Sequence, residues 1–113
     1  MNISPLPSPA EQNSLGTIIQ AGLEELWTET LGDPRICIAV LDGPVDQSHP
    51  SLAASDLTRL ETLVPGIADQ GPALQHGTHI TSVIFGQHGT PLRGIAPHCR
   101  GLIVPVFADG MSS

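Results

Sequence analysis

The chain has 113 residues, 11 of them acidic and 4 basic, and a net charge of −7. That balance excludes electrostatic binding to nucleic acid or to an anionic membrane surface, because both need clustered Lys and Arg, and the only basic side chains are Arg35, Arg59, Arg93 and Arg100. A chain this short forms one small domain at most, and Trp27, Phe85 and Phe107 are its only aromatic residues, so its core is expected to be modest and aliphatic.

Residues 1–13 combine Pro, Ser, Asn and Gln with little to bury, the composition of a flexible arm. From Ser14, which can cap a first turn, Leu15, Ile18, Ile19, Gly22, Leu23 and Leu26 recur at three- and four-residue steps. They predict a helix that stops near Gly32-Asp33-Pro34. Arg35 to Leu41 is short and continuously apolar after its first residue, as in a central strand of a parallel sheet buried on both faces. Gly43-Pro44 and Ser48-His49-Pro50 carry turn chemistry. Leu57 to Val64 suits a strand slightly better than a helical turn, with Val64-Pro65-Gly66 as its stop.

A polar, Gly- and Pro-containing loop is expected over residues 66–75, followed by a helix with His76 at its N-terminal edge and Gly86 or Gly89 at its end. Gly101 to Phe107 is a second buried apolar run, and its Pro105, which cannot donate to a sheet ladder, implies a bulge or a strand limit. The order helix, strand, possible strand, helix, strand is an α/β pattern. No apolar run approaches the ~20 residues that span a bilayer, and the N-terminus has no signal-peptide pattern, so a cytoplasmic protein is expected. Cys37 and Cys99 are expected to be reduced and buried, in preference to forming a disulfide or a metal site.

Working groups of an open parallel sheet sit just past the carboxyl ends of its strands, and Asp42 follows the first apolar run directly. A carboxylate in that position needs a cationic or N–H partner. His76 is the obvious one: an Asp that accepts from one ring nitrogen fixes the tautomer and leaves the other nitrogen free to take a proton. Gly77, directly after it, permits close backbone approach. Taken singly, an Asp at a strand end is more often a turn or cap residue.

Together the segments carry more. Ile38-Ala39-Val40-Leu41-Asp42-Gly43, Asp46-Gln47-Ser48-His49-Pro50, His76-Gly77-Thr78-His79 and Gly94-Ile95-Ala96-Pro97 resemble, in order and spacing, the subtilisin-like serine proteases. The resemblance runs from about Leu23 to Phe107 and covers the N-terminal third or so of such a domain, so residues 14–113 are expected to be the N-terminal portion of a subtilisin-like α/β sheet with flanking helices. It implies that Asp42 is the orienting acid and His76 the general base. The usual Asp-Ser/Thr-Gly is replaced by Asp42-Gly43-Pro44-Val45-Asp46, and this variant, with Ser82 to Gly86 and Cys99 to Pro105, looks like the proteases that mature cyanobactins. Those enzymes cut ribosomally made precursor peptides. The macrocyclising type carries an insertion between acid and base, whereas the compact Asp42 to His76 interval resembles the leader-removing type.

The remaining histidines have simpler assignments. His79 is expected to pack or hydrogen-bond beside the helix start, His49 to serve a turn, and His88 and His98 to lie exposed in loops. A Zn²⁺ site from His76, His79 and Asp42 or His88 fits no common zinc spacing, so no metal or cofactor is expected. No serine suits the nucleophile: Ser82 falls inside the helix led by His76, and Ser112 has only Ser113 after it. The expectation is therefore an endopeptidase whose Ser-bearing segment lies outside these residues, inactive as this chain alone, with a peptide as substrate. The alternative is a catalytically inert fragment of the same fold that acts as an interaction or peptide-binding module.

Overall fold

A computed structural model describes residues 8–61 and 71–106. The chain divides into two units, residues 1–30 and 31–113. The first unit carries α1, Pro9–Trp27. The helix starts five residues before Ser14, so Ser14 lies within it instead of capping it, and residues 9–13 of the expected arm are helical; residues 1–7 lie outside the described residues. It also stops short of Gly32. The Thr28 hydroxyl donates to the Glu25 carbonyl (2.6 Å), and Glu29 and Thr30 both donate to Leu26, which closes the end of the helix in a turn.

The second unit is built on three parallel strands: β1 (Cys37–Asp42), β2 (Leu57–Arg59) and β3 (Arg100–Pro105), in the order β1-β3-β2. Helix α2 (Pro72–Phe85) connects β2 to β3. The second apolar run is thus the central strand, and β1 is an edge. Its even-numbered side chains face the core, where Val40 is buried and Ile38 packs against the cluster, while Cys37, Ala39 and Leu41 are exposed. The expectation that β1 and Cys37 would be covered on both faces is corrected: an apolar run shows what can be buried, and among the described residues of this unit nothing covers its second face. Cys99 is buried as expected.

Val40, Val45, Leu52, Phe85, Cys99 and Ile103 form the core, with Leu57, Ile80, Ile84 and Ala96 packed against it. Gly101 makes the central contact possible, since a Cβ there would fall 2.5 Å from Leu57 Cδ2 and 2.7 Å from Phe85 Cζ. Pro105 ends β3, as the missing donor predicts. Donors of β3 alternate in direction: Arg100 and Val106 bond the β1-side carbonyls of Ile36 and Asp42, and Gly101 bonds Asp56 on the β2 side. Pro105 shares the direction of Gly101, toward a strand that has already ended at Arg59. The missing N–H therefore leaves the pairing beside Asp42 intact. The Val64-Pro65-Gly66 stop and Phe107 lie outside the described residues.

Helix α2 starts at Pro72, four residues before the expected His76 edge. Proline at a first helical position supplies a suitable φ and lacks only an N–H that has no partner there; Gly71, at φ 115°, makes the preceding bend. The helix runs to Phe85 and is closed by Gly86, one of the two expected stops. Its last carbonyls are all taken: Ser82 by Gly86, Val83 by Ile95, Ile84 by Ala96, and Phe85 by the Gln87 side chain (2.9 Å). The Gly94-Ile95-Ala96 segment thereby straps the helix end to the approach of β3.

Candidate active site

Asp42 is the last residue of β1, and strand alternation puts its side chain on the face shared by Ile38 and Val40, the face against which α2 packs. His76 sits in the second turn of α2. The two meet, with His76 Nδ1 2.9 Å from Asp42 Oδ1. The same carboxylate oxygen accepts the Gly43 N–H at 2.5 Å. The Asp42 side chain is 14% exposed and that of His76 58%, so the acid is fixed and shielded while the imidazole opens outward.

Two glycines permit this approach. A Cβ on Gly77 would collide with the Pro44 carbonyl oxygen and come within 2.7 Å of that of Gly43, and a Cβ on Gly43 would stand 2.5 Å from the Ala73 oxygen. Beyond them the Thr78 hydroxyl accepts the Asp46 N–H at 2.8 Å, tying the loop after Asp42 to the helix that carries His76. Sequence reasoning gave neither Thr78 nor Asp46 this part. The pairing spans 32 residues and has no local periodicity by which it could be found.

Asp46 is a turn anchor. Its Oδ1 accepts from the Ser48 hydroxyl (2.5 Å) and amide (3.0 Å), and these bonds, the hydroxyl first, hold its carboxyl below the ordinary carboxylate range. His49 serves the same turn, its Nδ1 accepting the Ser51 N–H at 3.1 Å. A cavity of about 300 Å³ lies beside α2, lined by Asp46, His49, Leu74, Thr78, His79 and Leu92 among others; neither Asp42 nor His76 lines it. His79 is exposed at its edge instead of packing beside the helix start. His88 is half-buried, its Nε2 3.1 Å from the Gly94 carbonyl, which corrects the exposed-loop expectation; His98 is exposed. Among the described residues, no three His, Cys, Asp or Glu side chains gather into a metal cage.

The hydroxyls of Ser48, Ser51, Ser55 and Ser82 are engaged away from His76. Ser48 donates to Asp46, Ser55 to the Leu52 carbonyl and Ser82 to the Thr78 carbonyl, and Ser51 accepts from Thr90 and the Leu92 amide. Ser112 lies outside the described residues. Among the described residues no helix is long and apolar enough to cross a membrane.

The three-stranded parallel sheet with its following helix is a fold that known proteins share. The prenylagaramide maturation protease PagA is 58% identical, with a TM-score of 0.67 over 80% of this chain and 30% of its own. A single-residue variant of the protease domain of PatA is 52% identical, with a TM-score of 0.66 over 72% of this chain and 30% of its own. Fervidolysin of Fervidobacterium pennivorans is 29% identical over 91 residues, 76% of this chain and 13% of that protein. The chain thus spans less than a third of the length of each. The subtilase family pattern covers residues 33–113, the stretch that holds all three strands, α2 and the Asp42–His76 pair, and the chain belongs to the subtilase family.

Proposed function

We propose that residues 14–113 are the acid- and base-bearing part of a subtilisin-like serine endopeptidase that cleaves a ribosomally made precursor peptide. The observation that carries the proposal is the 2.9 Å contact between His76 Nδ1 and Asp42 Oδ1. An acceptor at Nδ1 keeps the ring proton there and leaves Nε2 to take the proton of an attacking hydroxyl, then return it to the departing amine. Asp42, itself bonded by Gly43, stabilises the imidazolium formed between the two steps.

The nucleophilic serine in this proposal comes from outside the described residues. Two observations support that division: four serine hydroxyls are committed elsewhere, and among the described residues β1 pairs on one side only and leaves Leu41 64% exposed on its outer face. An apolar strand face of this kind calls for a covering partner. For the substrate, support comes from PagA and PatA, maturation proteases for prenylagaramide and patellamide. The compact interval from Asp42 to His76 favours leader removal, which for a ribosomal product belongs in the cytoplasm.

The test is cleavage of a precursor peptide by this chain joined to the Ser-bearing portion of a homologous maturation protease, followed by mass spectrometry. Leader release that vanishes in His76→Ala supports the proposal; release that persists overturns it. In the second reading, an inert module uses the same β1 edge to bind peptide or protein. That reading gains if peptide binds and is never cut.

A further inference from the structure

We propose that the Thr78 hydroxyl is a positioning group for the acid–base pair: by accepting the Asp46 amide it pins the segment after Asp42 to the helix carrying His76. The inference rests on the pairing used in the proposed function and names a residue that sets it. His76 is 58% exposed, so packing alone does little to hold its ring against Asp42. Its position must come largely from where α2 sits relative to the end of β1.

The contacts of Gly43 with Ala73 and of Gly77 with Gly43 and Pro44 are steric. They allow approach, but van der Waals surfaces resist sliding weakly, whereas a hydrogen bond weakens steeply with misalignment. The Asp46 N–H to Thr78 Oγ1 bond, at 2.8 Å, supplies such a directional link. It closes a ring: Asp42 leads through Gly43, Pro44 and Val45 to Asp46, Asp46 bonds Thr78, and Thr78 leads back through Gly77 to His76, which bonds Asp42. Pro44 and the helix stiffen the two covalent arcs. Thr78 is only 8% exposed, so water does not readily replace it as the acceptor. Nothing in the ring requires the threonine methyl; it requires the oxygen.

Thr78→Val and Thr78→Ser test this in the whole 113-residue chain, with ¹⁵N NMR of the His76 ring nitrogens read at a pH where the imidazole is neutral. The unsubstituted chain is expected to carry the proton on Nδ1. Thr78→Val is expected to shift the tautomer toward Nε2–H, and Thr78→Ser to restore it. A Thr78→Val chain that is folded and keeps the original tautomer overturns the positioning role and leaves the proposed function standing. An Nε2–H tautomer in the unsubstituted chain removes the Asp42–His76 pairing itself. Should Thr78→Val fail to fold, amide exchange in the unsubstituted chain decides: an Asp46 N–H protected as strongly as the β3 ladder supports the link, and one that exchanges like a loop amide refutes it.

Discussion

His76 and Asp42 are 34 residues apart in the chain and meet Nδ1 to Oδ1 at 2.9 Å. Strand alternation turns the carboxylate toward α2, and the Gly43 and Gly77 contacts let the helix come close enough for the imidazole to reach it.

In an assembled protease, Asp42→Asn is expected to lower turnover by about 10⁴, because an amide does not hold the ring in the required tautomer. His76→Ala is expected to cost roughly 10⁶. Turnover of a precursor peptide measures both, and near-normal rates in either variant would refute the roles assigned.

Gly77→Ala decides between two opposed effects. Alanine favours a helix interior over glycine by ~1 kcal/mol, yet its Cβ would collide with the Pro44 oxygen. Overpacking of this kind costs typically 1–3 kcal/mol, so a net loss of stability is expected together with separation of the pair. Denaturant midpoints measure the first and the His76 tautomer the second; a stabilised variant would show that the contact is not tight.

Thr81 is fully buried, and its hydroxyl has no hydrogen-bond partner among the described residues. Thr81→Val removes that desolvated oxygen and keeps the branched shape, so stability is expected to rise by about 1 kcal/mol in urea unfolding. A destabilised variant would mean that the hydroxyl has a partner after all.

The two apolar runs are expected to respond unequally. Ile103 is fully buried in the central strand, and Ile103→Ala should cost about 2–5 kcal/mol. Leu41 is 64% exposed on the edge strand, so Leu41→Ser should change the chain's stability by only about 0.5 kcal/mol. Equal losses at the two positions would contradict the strand order.

The Ser48 hydroxyl, then its amide, lowers the Asp46 pKa. A depressed carboxylate stabilises the fold above its unfolded pKa, and that contribution disappears as pH falls through the lower folded value. Ser48→Ala is expected to raise the Asp46 pKa toward the ordinary carboxylate value and to reduce the acid-induced loss of stability; carboxyl NMR titration checks it. An unchanged titration would rule out the hydroxyl as the main cause.

Much of the second unit was legible in the chain itself. Continuous apolar runs mark β1 and β3, Pro105 marks the limit of β3, and Gly86 marks the end of α2, because these signals depend on each residue's own backbone and side chain. The motif order also carried the subtilase resemblance. Helix starts were less legible: Pro72 reads as loop punctuation until the following turn is seen to use it as a first helical residue.

Local composition established which residues could be buried, where the chain could bend and which two side chains could act as acid and base. Only the tertiary structure decided that β1 is an edge among the described residues with Cys37 and Leu41 exposed, that His88 meets Gly94, and that Asp46 and Thr78 join the loop after Asp42 to the helix of His76. The physical reason is that burial and directional bonding belong to pairs of segments. An apolar run does not specify its neighbours, and a hydroxyl does not specify which amide, 32 residues away, will find it.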